Sequence, residues 1–472
     1  MAEQKLDAFE LPPQWANGSA PLHQRLAQAI EHMIRVGDLP PGSHLPTERD
    51  LAQVAAVSRS TAAHAYRRLK ADGHLESRQG SGTWVIERGS ARGSSTRTEH
   101  LGPLLGDVGD TVDLALAVPQ PPPRLRIAVT ATGIGYEAAG LPRLRAAIAE
   151  HYQRRGVATE PDQILVTNGA QHALSMVLRH LVEPGGTVAV EEATYVGVLD
   201  AVRTMGARLA GVPVDREGID VEALAAVIDR RAPSLVYLNP THHTPTGTVL
   251  SVPRRRRLVR LVERSSVPLV DDTTLADLAF DRGSAPPLLA GLDRSGAVVT
   301  LGSLSKVIWA GLRVGWIRAD TRLIEELVQR RMVDDLAGSV PSQQAAIRLV
   351  EHLDEHAEAR AELLAARHRH LLDALAVQLP DWTVEPAHGG TVVWAQLPDG
   401  ADAESFSAVA AAFGVNVVAG SAVTTHAGVS DRVRLAFVAT PEVIDEGVRR
   451  LGDAWQEYRN APASRWSRTV LV

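Results

Sequence analysis

The chain contains no cysteine, only three lysines among its 472 residues, and few aromatic side chains, at 4% of the total. The absence of cysteine excludes disulfide bonds, thiolate metal sites and cysteine nucleophiles. No uninterrupted apolar run approaches the roughly 18 residues of a membrane span. Residues 1–5 are polar and lack the apolar core of a signal peptide. We therefore expect a cytoplasmic protein with no membrane partner.

Length and charge indicate several domains of different character. A chain of 472 residues is long enough for about two to four domains. The net charge of −6 disfavours nucleic-acid binding by the chain as a whole, but phosphates respond to local charge. By count, residues 17–88 hold nine Arg or Lys and seven Asp or Glu, so this segment is slightly basic. The run Arg254–Arg257 predicts a solvated helix face rather than a second nucleic-acid site.

The scarcity of lysine makes one position distinctive. Lys5, Lys70 and Lys306 leave 49 − 3 = 46 arginines. Codon bias explains the general preference for arginine. At position 306, however, the chain keeps a primary amine in the sequence Ser-Leu-Ser-Lys. A primary amine can form a Schiff base and a guanidinium cannot, so Lys306 is a candidate for covalent chemistry.

Residues 17–88 have the pattern of a compact DNA-binding head. Apolar residues recur at helical spacing over 22–36. Thr47 and Ser58 are candidate N-caps for two further helices, the second continuing through Leu69. Two short alternating segments, 75–77 and 83–86, flank a glycine-rich tip. Three helices and a hairpin predict a winged helix-turn-helix, whose second helix enters the major groove.

This head resembles the GntR family over essentially its whole length. The resemblance is carried, in order, by Leu-Pro, Glu-Arg-x-Leu-Ala, Ser-Arg-x-Thr, Tyr-x-x-Leu, Gly-x-Leu and Gly-x-Gly-Thr. Arg59 is placed to pair with guanine and Arg49 to bind a phosphate. Ala63 departs from the family members that have a further arginine there. The DNA contacts that the resemblance implies are Arg49, Ser58, Arg59, Ser60, Thr61 and Gly80.

Beyond a linker at 89–112, residues 113–472 alternate helices with short apolar strands. That rhythm predicts βα units and a mostly parallel sheet covered on both faces. Segments 392–396 and 433–437 predict a smaller C-terminal α+β subdomain. The predicted sheet strands are 164–167, 188–190, 235–238, 269–271, 298–301 and 314–317.

The large domain carries the groups that pyridoxal 5'-phosphate (PLP) requires: a lysine, phosphate donors, an acid for the pyridine nitrogen and a flat stacking partner. Lys306 supplies the amine, Asp272 the acid and Tyr195 the ring. The sequence Gly169-Ala170-Gln171 follows a strand and opens a helix, where backbone N–H groups bind phosphate. Further phosphate donors are Ser303, Ser305 and Arg313.

In this order, these motifs and Pro245–Gly247 resemble a fold-type-I PLP aminotransferase over roughly 360 residues. The resemblance implies that Tyr136 reaches the phosphate of a neighbouring subunit and that Arg434 clamps an α-carboxylate. Two positions depart from it. Aminotransferases hold the phenolic oxygen of PLP with an Asn and a Tyr where this chain has Thr244 and Leu275. Thr244 keeps a hydroxyl, whereas Leu275 has no donor.

The fusion of both halves resembles the MocR-type subfamily of GntR regulators. That resemblance implies a cytoplasmic homodimer that binds a double-stranded operator with two half-sites. It also implies sensing of PLP, an amine or an amino acid, and we expect this to occur through aldimine exchange at Lys306. Two alternatives stay open: a working aminotransferase with an accessory head, and a DNA-binding protein whose large domain only dimerises. Thr244 and Leu275 count against the first alternative; Lys306, Asp272 and Arg313 count against the second.

Overall fold

The computed structural model describes residues 21–36, 43–71, 75–78, 82–85, 111–121, 133–281, 285–425 and 430–460, with residues 15, 39, 130 and 283. The chain divides into two compact units, Met1–Ser95 and Thr96–Val472. Gly80 and nearly all of the predicted linker lie outside the described residues. Within the described parts, no helix is long and apolar enough to cross a membrane.

The first unit is the predicted winged helix-turn-helix. Three helices, Leu22–Val36, Glu48–Val54 and Arg59–Ala71, accompany strands β1 (His44–Leu45), β2 (Leu75–Arg78) and β3 (Gly82–Val85). The strands pair antiparallel in the order β1-β3-β2. Helix and hairpin side chains share one apolar core, in which the buried residues include Leu26, Ile30, Leu51, Tyr66, Leu69 and Val85.

The second unit is built on a seven-stranded sheet of order β5-β13-β12-β11-β10-β6-β7. Every strand is parallel to its neighbours except β13, which runs antiparallel to β12 and β5. The predicted mostly parallel sheet is confirmed. The strands are β5 (Ile164–Thr167), β6 (Thr187–Glu191), β7 (Arg208–Val212), β10 (Leu235–Leu238), β11 (Leu269–Asp272), β12 (Val298–Ser303) and β13 (Gly315–Arg318).

Helices cover both faces of this sheet, and successive residues of a strand point to opposite faces. Leu269 belongs to one apolar cluster and Val270 to the other. Asp271 and Asp272 therefore also face opposite ways. The covering helices are Pro142–Arg154, Ala170–Leu181, Val196–Thr204, Val221–Arg231, Val252–Ser265, Leu289–Leu292, Thr321–Asp334 and Val340–Glu351.

A smaller C-terminal subdomain follows, as predicted. Its sheet has the antiparallel order β14-β15-β18-β17. Nearby, the two-residue strand β4 (Val112–Asp113) pairs in parallel with β16 (Val415–Asn416), and β8 (Val214–Asp215) with β9 (Gly218–Ile219) forms a hairpin. The remaining elements are strands β14 (Thr383–Val384), β15 (Val392–Gln396), β17 (Val418–Ala419) and β18 (Arg432–Ala436), and helices Leu353–Gln378, Ala403–Ala412 and Pro441–Asn460.

The arginine run in helix Val252–Ser265 is only partly the solvated face that its sequence predicts. Arg256 and Arg257 are exposed, but Arg254 pairs with Asp215 at 2.7 Å. Arg255 is fully buried. Its guanidinium donates to the carbonyl oxygens of Leu250 and Pro240, at 2.9 and 2.8 Å. The prediction is wrong for these two arginines, because helical geometry turns part of the run toward the protein.

Candidate functional site

Lys306 lies in a π-helical turn, Ser305–Trp309, directly after β12. Its Nζ donates a 2.7 Å hydrogen bond to the carbonyl oxygen of Ala117. Burial and, less strongly, the Arg434 guanidinium lower the pKa of Lys306 to about 8, against the opposing effect of the Asp272 carboxylate. A lysine with this pKa is partly neutral near physiological pH. It can therefore act as a nucleophile.

The predicted phosphate donors come together at the start of helix Ala170–Leu181. Gly169 precedes the helix with a φ of +85°, and no side chain caps the helix N-terminus. Nη2 of Arg313 donates to the carbonyl oxygen of Asn168 at 2.6 Å. Ser303 and Ser305 are joined through their hydroxyls at 2.9 Å. Free helical N–H groups, a guanidinium and two hydroxyls form an anion site.

Gly169 and Gly315 allow the start of this helix, strand β13 and Arg313 to come close together. A Cβ on Gly315 would lie 2.7 Å from the carbonyl carbon of Gly169, and one on Gly169 would lie 3.2 Å from Nη2 of Arg313. Any side chain at position 315 would push β13 away from the helix start. Glycine at both positions therefore allows the backbone and Arg313 to approach each other.

An ion pair between a fully buried arginine and a partly buried aspartate, which no sequence pattern indicated, lies beside the same residues. Arg331 is fully buried and lies 2.8 Å from Asp335. Asp335 accepts a 3.0 Å hydrogen bond from Nδ2 of Asn168, whose carbonyl oxygen holds Arg313. Arg331 and Asp335 thus position the residue that orients the phosphate-side arginine.

Asp272 is the last residue of β11 and faces the helices that begin at Ala170 and Val196. Its Oδ2 accepts a 2.7 Å hydrogen bond from the Tyr237 hydroxyl, and its Oδ1 accepts one from the Thr274 backbone N–H at 3.0 Å. Burial raises the pKa of Asp272, while the bonds from Tyr237 and Thr274 lower it. Tyr237 was not predicted. Tyr237 lies opposite Val270 on the neighbouring strand β10, so its side chain is on the same face of the sheet as Asp272.

Tyr195 and Gln171 contact each other beside Gly197. A Cβ on Gly197 would lie 2.3 Å from the Tyr195 ring and 2.4 Å from Oε1 of Gln171. Burial raises the pKa of Tyr195 to about 12; Asp272 acts in the same direction, and Arg434 and Arg313 oppose it. Because these three charged side chains affect the pKa of Tyr195, the Tyr195 ring lies near Asp272, Arg434 and Arg313.

Arg434 lies on β18, and its cross-strand neighbours are Trp394 and Val418. Nη2 donates to the carbonyl oxygen of Ala115 at 2.6 Å. Nε is buried without a hydrogen-bond partner in the described part of the chain. Burial lowers the pKa of Arg434 to about 10, and Tyr195 and Asp113 oppose this effect. The guanidinium remains charged at neutral pH and has a spare donor for a carboxylate.

The two departures from the aminotransferase pattern are both buried. The Thr244 backbone N–H donates to Oδ1 of Asn239, whose Nδ2 donates to the carbonyl oxygen of Asp272. Leu275 is 3% exposed and belongs to the main apolar core. Both ends of the Asn239 side-chain amide are therefore used in hydrogen bonds, one to the Thr244 backbone and one to the Asp272 backbone. Tyr136, by contrast, is 66% exposed, so its own subunit does not enclose it.

In the head, the predicted recognition helix starts as its sequence indicates. Oγ of Ser58 accepts from the Thr61 backbone N–H at 3.1 Å and bonds the hydroxyls of Ser60 and Thr61. Arg59 and Ser60 are exposed at the first turn. Thr47 caps the preceding helix, and the Arg49 side chain is 84% exposed. Ser58 therefore caps this helix, while the side chains of Arg59, Ser60 and Arg49 lie exposed at the starts of the two helices.

The residues present fit PLP. They supply a primary amine, hydrogen-bond donors for a phosphate and a buried carboxylate for the pyridine nitrogen, which are the groups that PLP needs. Two buried polar atoms, Nε of Arg434 and Oε1 of Gln171, have no partner among the residues that the structure describes. A ligand with both donors and acceptors would satisfy them.

Comparison with known proteins agrees with both halves. The model of the family "Aminotransferase class I and II" matches residues 127–451, and that of "Bacterial regulatory proteins, gntR family" matches residues 22–85. The chain is 30% identical to the HTH-type transcriptional regulator YisV of Bacillus subtilis, covering 79% of this chain and 84% of that protein. It is 28% identical to the probable rhizopine catabolism regulatory protein MocR of Rhizobium meliloti, covering 93% and 94%.

Among solved structures, the chain resembles LysN, the α-aminoadipate aminotransferase of Thermus thermophilus, complexed with N-(5'-phosphopyridoxyl)-L-leucine. The TM-score is 0.67 at 28% identity, covering 76% of this chain and 96% of LysN. Fold and site define a GntR-type winged helix-turn-helix fused to a fold-type-I aminotransferase domain, a class whose cofactor is PLP. The chain belongs to the MocR-type transcriptional regulators.

We expect Tyr237→Phe to weaken PLP binding roughly 10- to 150-fold. The substitution removes one hydrogen bond to a buried carboxylate, worth about 1.5–3 kcal/mol, and raises the pKa of Asp272 further. Tyr152→Phe is the matched control, because the Tyr152 hydroxyl accepts from Nε1 of Trp316 at 2.9 Å and does not contact Asp272. Fluorescence titration with PLP measures the effect. Equal PLP affinities for both variants would contradict the role of Tyr237.

Proposed function

We propose that this protein is a PLP-dependent transcriptional regulator that senses PLP together with an amine or amino acid through exchange at Lys306. The observation that supports this most directly is the environment of Lys306. A half-buried lysine with a lowered pKa lies near an acid, a set of phosphate donors and an arginine with a spare donor, in a chain that also carries a DNA-binding head.

When bound, PLP supplies a carbon that forms a covalent C=N bond with a primary amine. Lys306 would supply the amine for that bond. Asp272 would pair with the pyridine nitrogen, Tyr195 would pack against the ring, and Gly169, Ala170, Gln171, Ser303, Ser305 and Arg313 would hold the phosphate. An effector with a primary amine would compete with Nζ of Lys306 for the same bond. Nε of Arg434 takes a carboxylate if the effector has one.

We propose that this protein catalyses transamination slowly or not at all. Leu275 lies in the apolar core and offers no donor to the phenolic oxygen of the cofactor, and Thr244 is left with its hydroxyl for that task. With fewer donors, the electronic control of the cofactor is weaker, whereas binding and exchange depend on Lys306 and the phosphate site. The alternative is a functional aminotransferase with an accessory DNA-binding head.

We further propose that the protein is a homodimer with a shared site. Ile134 and Tyr136 are 87% and 66% exposed, and Met332 and Val333 are 47% and 88% exposed. Nη1 of Arg331 donates to the carbonyl oxygen of Ala138 at 3.2 Å, which brings these two segments together. An exposed apolar patch beside the phosphate site fits a second copy. A monomer in sedimentation at micromolar concentration would contradict this.

The regulator is distinguished from the enzyme by two assays on one preparation. We expect the affinity for operator DNA to change when candidate amines are added to the PLP-loaded protein. Keto-acid release over the same period should be far below ordinary turnover of roughly 1–1000 per second. Rapid turnover combined with a DNA affinity that ignores the amine would favour the aminotransferase.

We expect Arg59→Ala to cost about 1–3 kcal/mol of operator binding and to relax specificity at one base position. Arg59 is exposed at the first turn of the recognition helix, where a guanidinium reaches base edges. Arg49→Ala should weaken binding to all sequences alike, as expected of a phosphate contact. Arg67→Ala, exposed later in the same helix, is the control. Unchanged discrimination between operator and mutated operators in Arg59→Ala would exclude base readout.

A further inference from the structure

We propose that residues 111–121, which we call the strap, report the bonding state of Lys306 to the part of the chain that leads to the DNA-binding head. The inference rests on the proposed function and identifies the segment whose contacts change with the bonding state of Lys306. In sequence, the strap is the first described segment of the second unit. It is therefore the described part of the effector domain that lies nearest to the head along the chain.

One end of the strap is fixed to the small subdomain. Val112 pairs with Val415 through the parallel strands β4 and β16. The Leu114 backbone N–H donates to the Asn416 carbonyl at 3.0 Å, and the Leu114 carbonyl accepts from the Ala436 N–H at 2.8 Å. The Leu114 side chain is fully buried. This end is integrated in the subdomain that carries Arg434.

The middle of the strap contacts the two functional cations of the site. Oδ1 of Asp113 accepts from the backbone N–H groups of Ala115 and Leu116, at 2.8 and 3.0 Å. Two backbone carbonyl groups of the strap accept hydrogen bonds from charged side chains of the site. The Ala115 carbonyl accepts from Arg434 at 2.6 Å, and the Ala117 carbonyl accepts from Lys306 at 2.7 Å.

The far end is joined to the backbone next to Lys306. Nη1 of Arg360 donates to the Gln120 carbonyl at 3.2 Å. The same guanidinium donates to the carbonyls of Val307 and Ile308, both at 3.1 Å. Arg360 therefore connects the strap to the turn that carries Lys306.

The bond from Lys306 to Ala117 depends on the chemical state of the lysine. A free amine or ammonium has two or three N–H groups and can donate to the Ala117 carbonyl. Bonded to the cofactor carbon, Nζ would be planar and would keep at most one hydrogen, fixed in the plane of the C=N bond, so it could no longer turn to donate to Ala117. When an effector amine takes its place, Lys306 is free again. The strap is thus held in the cofactor-free and effector-bound states and loosened in the state between them.

Arg434 can hold the strap and an effector at the same time. Its Nη2 is used by Ala115, but its Nε has no partner among the described residues. A carboxylate can bind at Nε without displacing Ala115. The Lys306 contact, and not the Arg434 contact, is consequently the one that changes between the states.

Hydrogen exchange of peptides covering 111–121 in the full chain tests whether the strap is loosened only when PLP is bound to Lys306. The three conditions are cofactor-free protein, protein with PLP, and protein with N-(5'-phosphopyridoxyl)-L-alanine, which fills the cofactor site with a carboxylate attached and leaves Lys306 free. We expect exchange to be about tenfold faster with PLP than in the other two conditions, because one charge-assisted bond to the strap is lost. Simple ligand stabilisation would slow exchange with both compounds, and that result would overturn the proposal.

Asp113→Ala and Asp113→Asn provide the matched variants. Alanine removes the acceptor that organises the turn, so the strap should exchange rapidly in all three conditions and DNA affinity should no longer differ between PLP and the alanine adduct. Asparagine keeps Oδ1 and should behave as wild type. If neither compound binds, the proposed function fails. If both bind and DNA affinity responds while strap exchange stays constant, the strap inference alone is overturned.

Discussion

Lys306→Ala is expected to abolish borohydride-trapped pyridoxyl labelling of the protein and its PLP–lysine absorption. Reduction fixes the cofactor only to a primary amine that has formed a C=N bond, and Lys306 is the residue proposed to form it. The chain has only three lysines, so the labelled peptide identifies the attachment residue. Peptide mapping by mass spectrometry after reduction measures this loss.

The controls for this prediction come from the same chain. Lys70→Ala removes a lysine in the head, whose Nζ lies 6.0 Å from the centroid of the Tyr66 ring, and should leave labelling intact. Lys306→Arg keeps a cation but cannot form the bond, and should lose the label as completely as alanine does. Because the pKa of Lys306 is lowered to about 8, attachment should become faster as the pH rises toward 8 and level off above it. Equal labelling of wild type and Lys306→Ala would refute the assignment.

Asp271→Asn is expected to stabilise the cofactor-free protein at pH 8 by up to about 4 kcal/mol, with little effect at pH 4. Asp271 is fully buried, and neither carboxylate oxygen makes a hydrogen bond with the described residues. Burial, with Asp272 acting in the same direction, raises its pKa to about 7, and the Arg255 guanidinium lowers it without offsetting burial. The value follows from about 1.4 kcal/mol for each of roughly three pKa units.

The pH dependence has a definite sign. Asp271 binds its proton more tightly in the folded protein than in the unfolded chain, whose Asp pKa is about 3.9. Between about pH 4 and pH 7 the folded state therefore holds a proton that unfolding releases, and the free energy of unfolding falls as pH rises through this window. Asparagine has no charge to bury, so this decline should shrink. Denaturant unfolding at pH 4, 6 and 8 measures it.

Asp272→Asn is the matched control, since it changes the next residue of the same strand on the opposite face. Asp272 has partners in Tyr237 and Thr274, so its replacement should weaken PLP binding. Asp271→Asn should keep PLP binding. A pH profile of stability that is identical in wild type and Asp271→Asn would show that Asp271 does not carry a buried charge.

Much of the site could be predicted because its chemistry is specific to residue types at short spacing. Lys306 with Ser303, Ser305 and Arg313 lies in one short segment, and Gly169 to Gln171 in another. Their roles follow from what an amine, hydroxyls, a guanidinium and free helical N–H groups can do. The N-caps Thr47 and Ser58 were predictable for the same reason, because a cap acts on the turn that follows it.

The contacts that tune the site were not predictable from spacing. Tyr237 reaches Asp272 across 35 residues, Lys306 reaches Ala117 across 189, and Arg434 reaches Ala115 across 319. Two of these use backbone carbonyl groups, which every residue has and no sequence pattern marks. The burial of Arg255 and Arg331 was hidden as well, since an arginine in an amphipathic helix usually lies in solvent.

By itself, the sequence determined which chemical groups the protein has, the order of its domains and the secondary structure that local periodicity imposes. Only the tertiary structure decided that Asp272 faces Tyr237 and the helices that begin at Ala170 and Val196, while Asp271 is buried on the opposite face of the sheet, its carboxylate oxygens without a hydrogen bond to the described residues. It also decided that the strap contacts both Lys306 and Arg434. The physical reason is that burial, pKa and hydrogen-bond partners depend on which distant segments pack together, and that packing is a property of the whole fold rather than of any stretch of sequence.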